Sequence, residues 1–368
     1  MRDARIDRLA RVLVEYSADV QPGQRVGIVG YTAAAPMVEA VFEYVLARGG
    51  IPYPILELPG QRALLLTKGS EAQLDVPSEL DRMVFEEFEV GIFVHGETNT
   101  HELGSVDPAR ISRWQKARHP MLTAYRRRTA EGKFRWVRSD YPTEGLAQDA
   151  DMSLREFEDF YFGACHVTGA DDPVAYWQRV HAEQQRLIDW LKGRSRVEVR
   201  GPNVDLTLSV KDRVFLNADG HVNMPDGEIF TGPVEDSVNG WVRFTYPAVY
   251  NYREVDGVEI TFEQGKAVKA TARKNEAFLL STLDTDPGAR YLGEFAFATN
   301  FGITRFTRQI LFDEKIGGTI HMAFGAAYPE TGGKNESAVH WDMICDMRTD
   351  SEIRVDGELF YQNGQFKV

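Results

Sequence analysis

Arg25-Val26-Gly27-Ile28-Val29-Gly30 is followed by Pro36 to Arg48, with Met37, Val41, Tyr44 and Val45 at helical spacing, and then by Gly49-Gly50 and Ile51 to Leu58. Arg25 to Val29 reads as a buried strand and Gly30 as a turn, the second run as a helix closed by two glycines, and the third as another strand. Strand, helix, strand in this order predicts a parallel sheet with right-handed crossovers. Upstream, Ile6, Leu9, Val12, Leu13 and Tyr16 mark an amphipathic helix that Pro22-Gly23 interrupts. Downstream, Val90 to Val94 is a further strand leading into His95-Gly96-Glu97-Thr98-Asn99-Thr100, Ser153 and Glu156 form a capping-box pattern for a helix to about Gly163, and Pro173 to Lys192 is another long helix. Gly27 and Gly30 precede a helix, as in phosphate-binding turns, but neither a third glycine at the required spacing nor a Gly-Lys-Ser/Thr follows, so a nucleotide loop is not expected.

After Gly193 the texture changes. Arg196 to Arg200, Val204 to Val210, Trp241 to Tyr246, Val258 to Phe262 and Ala267 to Thr271 alternate or carry β-branched residues. Asp256-Gly257, Gln264-Gly265, Asp356-Gly357 and Asn363-Gly364 read as hairpin turns. The expected architecture is α/β (α+β overall): an N-terminal α/β domain over residues 1–192 with a partly parallel sheet, and a C-terminal domain over residues 193–368. The latter is mainly antiparallel, curved or barrel-like, with a helix around Lys274 to Leu283.

Composition narrows the function. With 368 residues, 43% of them hydrophobic, the chain can bury two cores. Its apolar runs are strand length, far short of the about 20 residues that a membrane span needs. The N-terminus mixes acids and bases without an apolar leader segment, so a cytoplasmic protein is expected. A net charge of −13 argues against nucleic acid as a partner. The cluster Arg110, Arg113, Lys116, Arg118, Arg126, Arg127 and Arg128 is flanked by acids and reads as a solvated helix face or subunit contact. Two cysteines, Cys165 and Cys345, provide neither a disulfide framework nor a thiolate zinc site, which leaves histidine and carboxylate to hold any metal.

Such residues gather in four stretches of the second half: Asp226-Gly227-Glu228, Gly293-Glu294-Phe295, Thr319-Ile320-His321-Met322 with Tyr328 beyond it, and His340-Trp341-Asp342. Side chains two apart on a strand share a face, so His340 and Asp342 can reach one ion while Trp341 points away. Glu294 sits in an apolar stretch, where a carboxylate is costly without a compensating cation or donor. Imidazole with carboxylate suits zinc, cobalt or manganese, and five candidates match what a pair of ions about 3.5–4 Å apart requires.

These segments resemble the M29 metallopeptidases, the aminopeptidase T or thermophilic aminopeptidase family. The likeness extends to Thr98-Asn99-Thr100-His101-Glu102-Leu103, Val106-Asp107-Pro108-Ala109-Arg110, Gln115-Lys116-Ala117-Arg118 and Met152 to Phe160. It implies that Glu228, Glu294, His321, His340 and Asp342 bind two divalent ions per chain, with Glu294 shared, and that Tyr328 assists catalysis; the catalytic proton transfer is expected from Glu294, where it is not fully engaged as a ligand, or from a nearby acid. It further implies a homodimer, a metal-bearing C-terminal domain and short peptides as substrates. Two other readings stay open: a mononuclear non-haem iron ring-cleaving dioxygenase, using His321, His340 and Asp342, and a non-enzymatic binding protein on the same fold.

Overall fold

Arg25–Tyr31 lies second from the edge of a five-stranded sheet whose order is Ile51–Glu57, Arg25–Tyr31, Val90–His95, Arg135–Asp140 and Asn223–Met224. Every pairing in this sheet is parallel. The chain, seen in a computed structural model that describes residues 2–251 and 253–368, divides into two compact units. The first comprises Met1–Gln178 with Gly220–Pro225, and the second comprises Arg179–Asp219 with Asp226–Val368. The division thus falls inside the helix Pro173–Leu191 rather than at Gly193, and a short segment returns to the first unit because Asn223–Met224 extends its sheet.

In the first unit the glycines of the opening strand serve packing. A Cβ at Gly27 would lie 2.8 Å from both methyls of Val84, and one at Gly30 would lie 2.8 Å from a Val38 methyl. Helices therefore approach the sheet closely at both positions. The helix Ala4–Arg11 continues through a π-helical stretch, Val12–Ser17, and the capping box at Ser153 opens the helix Leu154–Ala164. The basic cluster lies on the helix Pro108–Ala130, where Arg113 pairs with Glu71 and Asp75 at 2.6 Å each and Arg118 pairs with Asp81 at 2.7 Å.

The edge strand Ile51–Glu57 carries Pro52 and Pro54. Ile51 donates inward to the Gln24 carbonyl, so the alternate positions turn their amide side outward, and at two of these proline leaves no N–H to offer.

The second unit is built from two antiparallel sheets and a short hairpin. Eight strands run in the order Lys266–Thr271, Glu259–Glu263, Asn239–Arg243, Val204–Ser209, Arg196–Gly201, Glu352–Val355, Glu358–Gln362 and Gln365–Phe366. Five run in the order His340–Asp346, Thr319–Gly325, Leu292–Ala298, Glu228–Thr231 and Leu216–Ala218. The mainly antiparallel domain expected as curved or barrel-like is built, among the described residues, of open sheets, neither of which closes on itself. Gln264-Gly265, Asp356-Gly357 and Asn363-Gly364 each join paired strands, with both residues at positive φ, as a two-residue hairpin requires. Asp256-Gly257 does not make a hairpin. Arg253–Val255 pairs back on Ala248–Tyr250, and Asp256 instead bridges to Lys274.

One apolar core fills this unit. Phe295, Phe297, Ile320, Met322, Phe324, Trp341 and Met343 enter it from the five-stranded sheet, and Val199, Leu206, Val242, Ile260, Phe262 and Ile353 from the other. Phe297 is fully buried and packs edge-on against Phe295 and Phe360, with ring centroids 5.1 Å apart in both cases. Phe297→Ala should lower the stability of this unit by about 3–5 kcal/mol in urea unfolding, while Val268→Ala, on an exposed strand face, should change it by under about 0.5 kcal/mol.

Candidate metal centre

In the five-stranded sheet odd and even positions have opposite fates. Ile320, Met322 and Phe324 enter the core, which sends His321 to the other face; Trp341, Met343 and Cys345 do the same for His340 and Asp342. Ile229 enters the core beside Glu228. Leu292 also enters it, and unbroken alternation would carry Glu294 inward as well. A bulge intervenes: Leu292 pairs with Phe324 and Glu294 with Ala323, so two steps on one strand oppose one on its neighbour. The extra residue is Gly293, where a Cβ would stand 2.2 Å from the Ala326 carbonyl oxygen and 2.4 Å from that of Gly325. Only glycine fits there, and it turns Glu294 toward the histidines.

Four adjacent strands thereby bring all five expected ligands together. Nε2 of His321 lies 3.3 Å from Glu228 Oε2 and 3.5 Å from Glu294 Oε1, while Nε2 of His340 lies 3.4 Å from Glu294 Oε2 and 3.7 Å from Asp342 Oδ2. The two oxygens of Glu294 thus face two different imidazoles. Glu228, Glu294 and His321 form one group of donor atoms within 4.8 Å of one another, Glu294, His340 and Asp342 a second, and Glu314, His321 and Asp342 a third.

The surroundings fit a cation. Nδ1 of His321 lies 2.9 Å from the Glu314 carbonyl oxygen and Nδ1 of His340 lies 2.9 Å from that of Ala326. A carbonyl only accepts, so Nδ1 of each ring carries a proton and Nε2 faces the carboxylates, the nitrogen left to bind a metal once it gives up its own proton. Glu228 Oε2 and Asp342 Oδ1 are buried and accept no hydrogen bond. Burial raises the Glu228 carboxyl to about 8, in spite of Lys315 and His321, and raises that of Asp342 to about 6. Burial also works against ionising Glu294, yet hydrogen bonds from His321 and His340 bring it down to about 2. Desolvation opposes charge on the two histidines, but the carboxylates prevail and lift both to about 10. Without a metal, then, protons stand in for cations here, and histidine with carboxylate is the donor chemistry of zinc, cobalt or manganese.

Tyr328 stands beside this group rather than in it. Its ring meets those of His340 and Phe230 edge-on, each with centroids 5.3 Å apart, and 43% of its surface remains exposed. Partial burial, with Glu294 and Asp342 nearby, drives its hydroxyl well above the ordinary tyrosine range, so it stays a donor at neutral pH. The sequence reading missed Glu314 and Lys315. Their one signal was the charged triplet Asp313-Glu314-Lys315 directly before Ile316-Gly317-Gly318 and an apolar strand.

The family model described as "Thermophilic metalloprotease (M29)" matches residues 2–366. The chain belongs to the M29 metallopeptidase family. Its relatives include aminopeptidase 2 of Geobacillus stearothermophilus, 28% identical over 400 residues that cover 96% of this chain and 93% of that protein. The structure is similar to that of wild-type AmpT from Thermus thermophilus, with a TM-score of 0.85, 24% identity and 99% of each chain covered. It also resembles a 2,5-dihydroxypyridine dioxygenase from Pseudomonas putida KT2440, with a TM-score of 0.59 and 12% identity over 98% of this chain and 96% of that one. Both structural likenesses are of fold alone. Membership of M29 implies a divalent metal, and the clustered histidines and carboxylates are candidate ligands for it.

In this M29 chain Gly293→Ala should relocate Glu294. Equilibrium dialysis against zinc or cobalt should show affinity reduced about ten- to a hundredfold, the range seen when the support of a ligand is lost; unaltered uptake would mean that the bulge does not set the site.

Proposed function

We propose that this M29 chain is an aminopeptidase that releases N-terminal residues from short peptides, using two divalent ions held by Glu228, Glu294, His321, His340 and Asp342. The single observation that carries the reading is Glu294, with one oxygen toward His321 and the other toward His340, the disposition a shared ligand needs. Glu228 with His321 completes one side, and Asp342 with His340 the other. When bound, a pair of divalent ions of the zinc, cobalt or manganese class supplies Lewis acidity and makes water a nucleophile near neutral pH. The ring-opening dioxygenase reading would leave Glu228 and Glu294 without a role, since two histidines and one carboxylate suffice for an oxygenase iron.

The remaining residues divide the work. Glu294 has both oxygens engaged, so we assign proton transfer to Glu314, whose side chain keeps 16% exposure and whose carboxylate belongs to the His321 and Asp342 group. Tyr328, holding its proton at the rim of the site, donates a hydrogen bond to the developing oxyanion of the scissile carbonyl. His321 and His340 are fixed in orientation by the Glu314 and Ala326 carbonyls, which removes the cost of arranging them during turnover. We further read the protein as a cytoplasmic homodimer. The two free, buried thiols Cys165 and Cys345 support a reducing compartment, and family likeness supports the dimer. Among the described residues no helix is long and apolar enough to cross a membrane.

The test is metal content together with release of amino acids from a panel of dipeptides. Wild type should hold about two zinc, cobalt or manganese ions per chain, and Glu294→Gln should lose metal and hydrolysis together. One ferrous ion with oxygen uptake would instead establish the dioxygenase. Tyr328→Phe should keep its metals while kcat falls about 10²-fold or more, the usual loss for one oxyanion donor; full activity would remove Tyr328 from the chemistry.

A further inference from the structure

Lys315 is the one lysine or arginine that is buried among the described residues, with none of its surface exposed. A lone buried ammonium is expensive, and it persists only where anions surround it. Its Nζ meets the carboxylate of Glu314, lies 3.4 Å from Glu228 Oε1 and lies 3.9 Å from Asp226 Oδ1. Glu228 is therefore gripped from two sides: Oε1 faces the lysine, and Oε2 faces His321 at 3.3 Å.

The backbone fixes this position. The Lys315 amide donates to Phe312 and its carbonyl accepts from the Asn300 amide at 3.2 Å, while Asn300 donates through its side chain to the Asp226 carbonyl. The loop carrying the lysine and the turn carrying Asp226 and Glu228 are thus tied together independently of the charges.

We propose that Lys315 is a positioning residue, an internal cation that holds Glu228 and Glu314 in place before any metal arrives and fixes how much metal charge the centre takes. This rests on the two-metal reading above. Asp226, Glu228, Glu294, Glu314 and Asp342 form a group of five carboxylates around Lys315, His321 and His340. With metal bound and the two imidazoles neutral, one ammonium against five ionised carboxylates leaves four negative charges, matching the four positive charges of two divalent ions. Removing the lysine leaves its three acid neighbours buried without their shared cation, and most severely so when no ion is bound, because bound metal would take over part of the compensation.

The experiment compares wild type, Lys315→Met and the double variant Lys315→Met with Glu228→Gln by thermal unfolding, in chelator and in saturating zinc. In chelator Lys315→Met should melt roughly 10 °C below wild type, as expected for a broken buried ion pair in a domain of this size. Zinc should close at least half of that gap. The double variant, which lacks one of these acids, should recover at least half of the loss in chelator, a rescue that mere packing would not produce. Lys315→Met that folds only when zinc is present during expression, or an insoluble single variant beside a soluble double variant, supports the same conclusion. A loss that is equal with and without zinc and is not relieved by Glu228→Gln, or insolubility of both variants even with zinc, would overturn it. A wild type indifferent to zinc would sink the metal reading instead, while the comparison in chelator still measures the lysine's charge.

Discussion

Alternation along a strand gives each side chain no choice of face, and at Leu292–Ala298 that rule alone would drive a carboxylate into the apolar core. One extra residue, Gly293, reverses it. Downstream of the bulge Phe295 and Phe297 point into the core and Glu294 points out of it, which no substitution at Glu294 itself could arrange. Two demands on the same strand, a filled core and a carboxylate turned toward the two histidines, are met because the backbone slips by one step between them. Bulges beside active sites re-aim side chains in this manner, and the missing Cβ at Gly293 is what makes room for it.

The centre so formed is held by mutual compensation. Glu228, Glu294 and His321 are all buried, and neither carboxylate would tolerate that burial as an isolated charge. Each carboxylate draws on the imidazoles or on Lys315, and each imidazole is braced by a backbone carbonyl behind it. The support lies in main-chain atoms and in a loop next to the strand, so the geometry is a property of the fold rather than of the ligands. Gln184 adds to this by donating to the Glu228 carbonyl at 2.6 Å, which ties the strand carrying Glu228 to a helix.

Much of this was legible in the residues. The parallel sheet followed from Arg25 to Leu58, and the three two-residue hairpins followed from Gln264-Gly265, Asp356-Gly357 and Asn363-Gly364, since positive φ at both positions has a local chemical signature. His340 and Asp342 could be put on one face from their spacing alone. Asp256-Gly257 misled because its flanking strands pair elsewhere, a choice made by tertiary contacts that no local motif records. The bulge at Gly293 was equally hidden: a glycine before a glutamate has the same letters whether or not the register slips. Lys315 was missed because a lysine beside two acids usually lies in solvent, and only the convergence of two distant chain segments buries it. The family likeness supplied what spacing could not, namely that five residues from four stretches belong to one centre.

The prolines on Ile51–Glu57 have a consequence beyond their own strand. Leu56 and Leu58, with Leu64 and Val76 on neighbouring segments, are apolar and exposed, the composition that ordinarily invites a foreign β-strand to dock. At Pro52 and Pro54 such a newcomer would find carbonyls awaiting donors but no amides to answer its own carbonyls. For a second chain meeting this rim backbone pairing is interrupted at two successive outward positions, which shifts the weight of recognition there toward the shape and fit of side chains.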